Sequence, residues 1–60
     1  NMFEITYSTE CYPAIYKQNI RTLAEAEKIV SNMPCHDGEA YILDIYIKDE
    51  AGNIVKSYLR

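Results

Sequence analysis

The residue types that most often do chemistry in proteins occur at two places, at Cys11 and in the run Cys35, His36 and Asp37. An imidazole near a thiol can lower the thiol pKa and create a nucleophile, but adjacent residues on a loop do not usually direct their side chains at each other. Cys11, Cys35 and His36 are residue types that bind zinc, but the sequence has no C-x-x-C unit. Asp37 could be counted as a fourth ligand, but no spacing pattern supports that role. We therefore expect no catalytic residue, no metal site, no cofactor and no enzymatic activity.

The same two cysteines could instead support the fold. The topology derived below places Cys11 and Cys35 near the same end of the molecule, where a disulfide would stabilise the chain by roughly 3 kcal/mol through loop closure. Thiols of proteins that are not exported are normally kept reduced. A bonded thiol pair and two separate thiols therefore both stay open, and we favour the second.

The chain begins with two predicted strands, which lie on either side of Cys11. Residues 2–8 alternate in polarity, with Phe3, Ile5 and Tyr7 on one side, which is typical of a half-buried strand. Pro13 then precedes a second, more polar run over residues 14–18. Because proline has no N–H to donate, we expect this run to be an edge strand.

A helix follows, and it carries the clearest local signal in the chain. Thr22 is a good N-cap, and Glu25 lies at the position that completes a capping box. The next apolar residues recur at helical spacing and form one stripe (Leu23, Ala26, Ile29, Val30 and Met33). Pro34 ends the pattern. These signals predict a helix over residues 23–32, followed by a loop at residues 35–38.

Two further strands complete the chain. Residues 40–48 form the strongest predicted strand, and we expect four of its side chains to face the core (Tyr41, Leu43, Ile45 and Ile47). Residues 49–52 fit a type I turn that ends in a left-handed Gly52. In the last predicted strand, residues 54–60, we expect Val55 and Leu59 to pack against the same core.

The predicted fold is therefore α+β, with the order β-β-α-β-β in one domain of residues 1–60. A right-handed crossover through the helix gives a four-stranded antiparallel sheet in the order 2-1-3-4, with the helix packed on one face. The polar second strand then lies at an edge and the two most apolar strands lie in the centre, so topology and pattern agree.

The face of the sheet opposite the helix is the best candidate for function. Pairing through the Gly52 turn sets Tyr46 opposite Lys56 and predicts five outward side chains: Ile42, Tyr46, Ile54, Lys56 and Tyr58. Tyrosine is enriched at protein-binding hot spots, and so small a domain benefits from a partner. We therefore interpret the chain as a protein-interaction module or a homodimer that binds through this face, with pairing at an edge strand as a second route.

Three alternatives stay open for this face. The tyrosines and isoleucines could simply favour strand structure on a solvated sheet. The face could bind single-stranded nucleic acid by stacking, although a net charge of −3 with scattered basic residues argues against it. A third possibility is that the chain is a small accessory inhibitor of a larger enzyme.

The sequence also gives an expectation about location. Its first residues lack the basic start and apolar run of a signal peptide, and its apolar runs are far too short to cross a membrane. Asn1 before Met2 resembles the remnant of a cleaved tag. We therefore expect a cytoplasmic protein that makes no contact with a membrane.

Overall fold

The computed structural model describes residues 2–59, so the predictions for Asn1 and Arg60 lie outside the described residues. The described part contains seven elements: β1 (Phe3–Ser8), β2 (Pro13–Ile20), α1 (Leu23–Ser31), β3 (His36–Asp37), β4 (Ala40–Tyr41), β5 (Ile45–Lys48) and β6 (Ile54–Tyr58). The first strand, the edge strand after it and the helix therefore occur where the sequence predicted them.

Four strands form one antiparallel sheet in the order β2-β1-β5-β6, while β3 and β4 form a separate two-stranded sheet. The α+β class, the four-stranded antiparallel sheet and the helix are thus confirmed. The predicted order 2-1-3-4 describes only the larger sheet, because β3 forms within the predicted loop and pairs with β4, the beginning of the predicted third strand. Gly38, with a φ of 64°, makes the tight turn of this hairpin between the paired residues Asp37 and Ala40.

The helix begins at the predicted cap. The Thr22 hydroxyl accepts a hydrogen bond from the Glu25 N–H at 3.1 Å, which satisfies one N–H that the first helical turn leaves without a partner. The helix ends at Ser31, one residue before the predicted end. Its buried residues, Ala26 and Val30, belong to the core cluster.

The core lies between α1 and one face of the larger sheet, which we call the covered face. Its buried members come from the helix, three strands and the segment before β5 (Ile5, Tyr7, Ile20, Ala26, Val30, Ile42, Ile45 and Ile47). Alternate residues of a strand point to opposite faces, so the buried residues of β1 and β5 define the covered face. Each buried isoleucine contributes about 1.5–3 kcal/mol relative to exposure, and four of them are at most 1% exposed.

The strand predicted over residues 40–48 is interrupted. Leu43 donates its N–H to the Ser8 carbonyl at 2.8 Å, and Ser8 donates its N–H to the Asp44 carbonyl at 2.8 Å. Leu43 and Asp44 therefore both lie opposite Ser8, as in a β-bulge. Because of this extra residue, the side chains of residues 41–43 point to the faces opposite to those predicted. As a result Ile42 is buried, only 2% exposed, while Tyr41 and Leu43 are exposed. The sequence prediction had these placements reversed and was wrong.

The turn between β5 and β6 has the expected form. The Asp49 N–H donates to the Asn53 carbonyl at 2.9 Å, and Gly52 has a φ of 85°, which glycine adopts without strain. The Asp49 carboxylate also accepts from the N–H groups of Ala51 and Asn53. Local turn chemistry therefore determined this connection correctly.

The register beyond that turn differs from the prediction. The sequence predicted that Tyr46 lies opposite Lys56. In the structure a register shift between Ile47 and Lys48 places Ile47 opposite Lys56 instead. A slip of one residue moves side chains to the other face of a sheet. Val55 and Leu59, which were expected in the core, are accordingly exposed.

Candidate functional site

The face of the larger sheet turned away from the helix, which we call the open face, is the candidate site. It carries the side chains that alternate with the buried ones on β1 and β5, together with the residues paired to them on β2 and β6. Its members are Glu4, Thr6, Ser8, Pro13, Ile15, Tyr46, Lys48, Ile54 and Ser57. Strand pairing alone therefore positions this surface.

One row of side chains crosses the open face through all four strands. Thr6 pairs with Ile15 on one side and with Tyr46 on the other, and Tyr46 pairs with Ser57. Directly opposed side chains are neighbours, about 4.5–5.5 Å apart at Cβ. The row thus places an isoleucine and a tyrosine on either side of a small threonine.

The small threonine leaves a groove between these two larger side chains. The groove has a volume of about 280 Å³, and its walls come from residues 6–8, residues 13–15, Tyr46 and Lys48. Ile15 is 53% exposed and Tyr46 is half-buried. The Tyr46 hydroxyl lies 3.5 Å from Asp44 Oδ2, at the long limit for a hydrogen bond. The groove is therefore shallow, largely apolar and open to solvent.

The charged side chains of the open face are opposite in sign. Glu4 pairs directly with Lys48, and Lys48 pairs with Ile54 on its other side. Opposite charges in a cross-strand pair stabilise a sheet by roughly 0.2–1 kcal/mol. The second row of this face thus combines two residues of opposite charge on neighbouring strands with an isoleucine that is 54% exposed.

The structure brings only part of the predicted interface together. Tyr46 and Ile54 lie on the open face as expected, whereas Ile42 is in the core and both Lys56 and Tyr58 are on the covered side. Ile15 also lies on the open face but was not predicted there, because apolar residues flank it on both sides and leave no clear alternation. Its position opposite Thr6 follows two register shifts between β1 and β2, and no local pattern in the sequence marks these shifts.

Lys56 and Tyr58 lie on the covered side because they pair with the buried Ile47 and Ile45. Lys56 forms an ion pair with Glu27 of the helix, and its ammonium lies 5.5 Å from the centre of the Tyr58 ring. The hydrogen bond with Glu27 raises the pKa of Lys56. The two residues therefore close the border of the core, and their predicted place on the open face was wrong.

A second cluster of polar groups lies at the end of the molecule that carries the small hairpin. The hydroxyls of Tyr7 and Tyr12 both donate to Oδ2 of Asp37, each at 2.8 Å. Tyr7 is only 6% exposed, and its ring meets the Tyr16 ring edge-on, with centres 6.3 Å apart. These contacts attach the β3–β4 hairpin to β1 and to the segment before β2.

The electrostatics of this cluster keep all three groups in their ordinary states at neutral pH. The hydrogen bond to Asp37, together with burial, raises the pKa of Tyr7 to about 12, and the same bond raises the pKa of Tyr12. In turn, the hydrogen bonds from Tyr12 and Tyr7 lower the pKa of Asp37. An ionised carboxylate with two protonated phenols is a tether between segments and gives no activated nucleophile.

The cysteines and the histidine near this cluster have separate surroundings. Cys11 and Cys35 are both free thiols and both exposed, so the unbonded state is the one present. The His36 ring lies 4.7 Å from the Tyr41 ring, centre to centre. Within residues 2–59, no three His, Cys, Asp or Glu side chains are placed to hold a metal ion.

Comparisons with known proteins add no relative: no family model matches the chain, and neither a curated protein nor a solved structure is significantly similar to it. As for membranes, the part of the chain that the structure describes has no helix long and apolar enough to span a bilayer. The case for function therefore depends on the surface of the chain itself.

Proposed function

We propose that this chain is a small, non-enzymatic protein-interaction module that binds a partner protein through the open face of its sheet. The observation that carries the proposal is the groove between Ile15 and Tyr46, which is apolar and uncovered by the helix. An aliphatic or aromatic side chain of the partner would fill it.

The composition of the open face supports this proposal. Ile15 and Ile54 are both more than half exposed, and Tyr46 stands between their strands. Single exposed apolar residues are common and need no explanation. Two isoleucines and a tyrosine on one uncovered face, beside a groove, are more typical of the apolar centre of an interface with a polar rim.

The dimensions of the molecule also suit such an interface. Its two longer extents, 33 and 21 Å, give one face a projected area of about 700 Å². Stable protein interfaces of standard size bury about 800 Å² per partner. The largest face of this small domain is therefore of the same order of size as one side of a standard interface.

The placement of Tyr58 and Lys56 favours a protein over a single-stranded nucleic acid as the partner. A stacking platform needs several aromatic rings beside basic side chains. Among the residues that the structure describes on the open face, Tyr46 is the aromatic one and Lys48 the basic one, with Lys48 paired to Glu4. The open face therefore offers a stacked base little electrostatic support.

Photo-cross-linking tests the proposal at a single ring. Benzoylphenylalanine replaces Tyr46 on the open face or, as a matched control, the exposed Tyr41 on the small hairpin. We expect position 46, but not position 41, to cross-link one partner in an extract of the cells that produce the chain. Cross-linking to a second copy would identify the chain as its own partner.

Substitution in the groove gives the complementary result. Ile15→Ser should weaken capture of the cross-linked partner at least tenfold, while Tyr41→Ser should leave it unchanged. Circular dichroism confirms that each variant is folded. Equal capture by both variants, or equal cross-linking from both positions, would show that the open face is a solvated surface.

A further inference from the structure

The larger sheet has two edge strands, and they differ in how well they can accept another strand. An edge presents unpaired N–H and C=O groups to any strand that approaches, and most proteins obstruct this pairing. Three features of β2 obstruct pairing with another strand. Pro13 lacks an N–H, the pairing with β1 has two register shifts, and Asn19 has a φ of 60° that bends the backbone out of strand geometry.

The β6 edge has none of these features in the stretch that pairs regularly. Residues 56–58 pair one by one with residues 45–47, and the register shift lies nearer the turn, between Ile47 and Lys48. The strand contains no proline. Its charged residue, Lys56, forms an ion pair with Glu27 on the covered side, so its charge does not obstruct pairing of another strand with this edge.

Apolar side chains also accumulate beside this edge. Val55 is 43% exposed, and Leu59, directly after the strand, is 70% exposed. A solvent-exposed strand edge flanked by such residues favours association with another strand. A domain of 60 residues also gains more than a large one from sharing a core or extending a sheet.

We propose that β6 pairs antiparallel with β6 of a second copy of this chain, so that two sheets join into one of eight strands. Directly opposed residues of a sheet share a face, so the twofold axis must lie midway between one residue of β6 and the same residue of the second copy. An axis at Lys56 would oppose two ammonium groups, which is unfavourable. An axis between the two copies of Ser57 avoids this repulsion and brings two small side chains together, so we place the axis there.

This register is complementary at the neighbouring positions. Lys56 lies opposite Tyr58 of the second copy, so its ammonium, already 5.5 Å from the Tyr58 ring of its own chain, gains a second aromatic neighbour. Val55, which the register shift leaves without a partner on β5, comes near Leu59 of the second copy, and both exposed apolar side chains become less exposed to solvent. The symmetry produces each of these pairs twice.

The geometry of the dimer leaves the open face available. A twofold axis perpendicular to the sheet keeps both helices on one side and both open faces on the other. The two grooves then lie on one continuous surface. The dimer does not depend on the proposed function, because its test measures self-association and the earlier test measures capture of a partner.

Sedimentation equilibrium over a concentration series, with reductant present, tests the dimer. We expect a mass that rises from 7.0 kDa to twice that value, and we expect Leu59→Lys to raise the dimer dissociation constant at least tenfold. The matched control is Ile15→Lys, which places the same charge on β2 and should leave the dimer intact. A monomer at every concentration, or a dimer disrupted only by Ile15→Lys, would overturn the proposal.

Cysteine cross-linking tests the register itself, in a chain with both native cysteines replaced by serine. Ser57→Cys should form an intermolecular disulfide under mild oxidation, because directly opposed Cα atoms lie about 4.5–5.5 Å apart. Ile54→Cys is the control, because the register separates its two copies by roughly 20 Å. Efficient cross-linking at residue 54, or none at residue 57, would contradict the register centred on Ser57.

Discussion

The two faces of the larger sheet carry the same residue types in opposite environments. Ile5 and Ile47 on the covered face are fully buried, whereas Ile15 and Ile54 on the open face are more than half exposed. Tyrosines divide in the same way, since Tyr7 points into the core while Tyr46 borders an open groove. Residue type therefore did not decide which isoleucine is structural.

The difference between the faces arises from what packs on each. The helix supplies Ala26 and Val30 to one face only, and the segment before β5 adds Ile42 to the same face. The other face is left with apolar side chains that stay exposed to solvent. This comparison predicts that the same substitution has very different consequences on the two faces.

The largest effect is expected from removing a core isoleucine. Ile47→Ala should lower the free energy of unfolding by about 2–5 kcal/mol, because it removes buried apolar surface and leaves a cavity. Urea denaturation followed by circular dichroism measures the change. If the alanine variant is unfolded, Ile47→Val should still cost about 0.5–1.5 kcal/mol.

Ile54→Ala is the matched control, because Ile54 lies on the adjacent strand but on the open face. Its free energy of unfolding should stay within about 0.5 kcal/mol of the parent value. Equal losses at residues 47 and 54 would mean that both faces of the sheet are buried, and the open face would then not be a binding surface of the folded monomer.

An intermediate effect is expected from weakening the helix that covers the core. Thr22→Ala removes the hydroxyl that accepts from the Glu25 N–H and should cost about 1 kcal/mol. Thr22→Asp keeps an acceptor at the cap and should retain most of that stability. Urea denaturation distinguishes the two, and identical losses for both variants would argue against a capping role.

The smallest effect concerns the tether that closes the end of the covered face. Asp37 has a pKa below its usual 3.8 in the folded state, so the stability it gives is present above that value and is lost as pH falls through the lower folded pKa. The stability difference between the parent chain and Asp37→Asn should therefore shrink below about pH 4. The control is Glu39→Gln, which removes a charge in the same hairpin, and an unchanged difference at low pH would rule out the ionised tether.

Much of the fold could be predicted from local sequence patterns. Thr22 caps the helix, residues 49–52 make the last turn, and the alternation of residues 2–8 produces β1 with the correct side inward. Each of these depends on interactions between residues that are near one another in the chain. The order of the four large strands then follows from right-handed connections and short loops.

The candidate site was predicted less well, because it depends on register. Tyr46 and Ile54 were placed correctly, but the bulge opposite Ser8 moved Ile42 inward, and the shift beside Lys48 moved Tyr58 to the covered side. A single extra residue in a ladder reverses every side chain beyond it, and no local pattern in the sequence marks where that residue lies.

The sequence by itself thus determined the helix, the last turn and the approximate places of the four strands of the larger sheet, since these depend on capping, turn residues and hydrophobic period, but it did not show the small hairpin or the interruption before β5. Only the tertiary structure decided which face each side chain occupies and which distant groups meet. The contact of Tyr7 with Asp37 joins residues 30 positions apart, and the ion pair between Lys56 and Glu27 joins strand to helix. Such contacts form only after the strands have fixed their register against one another.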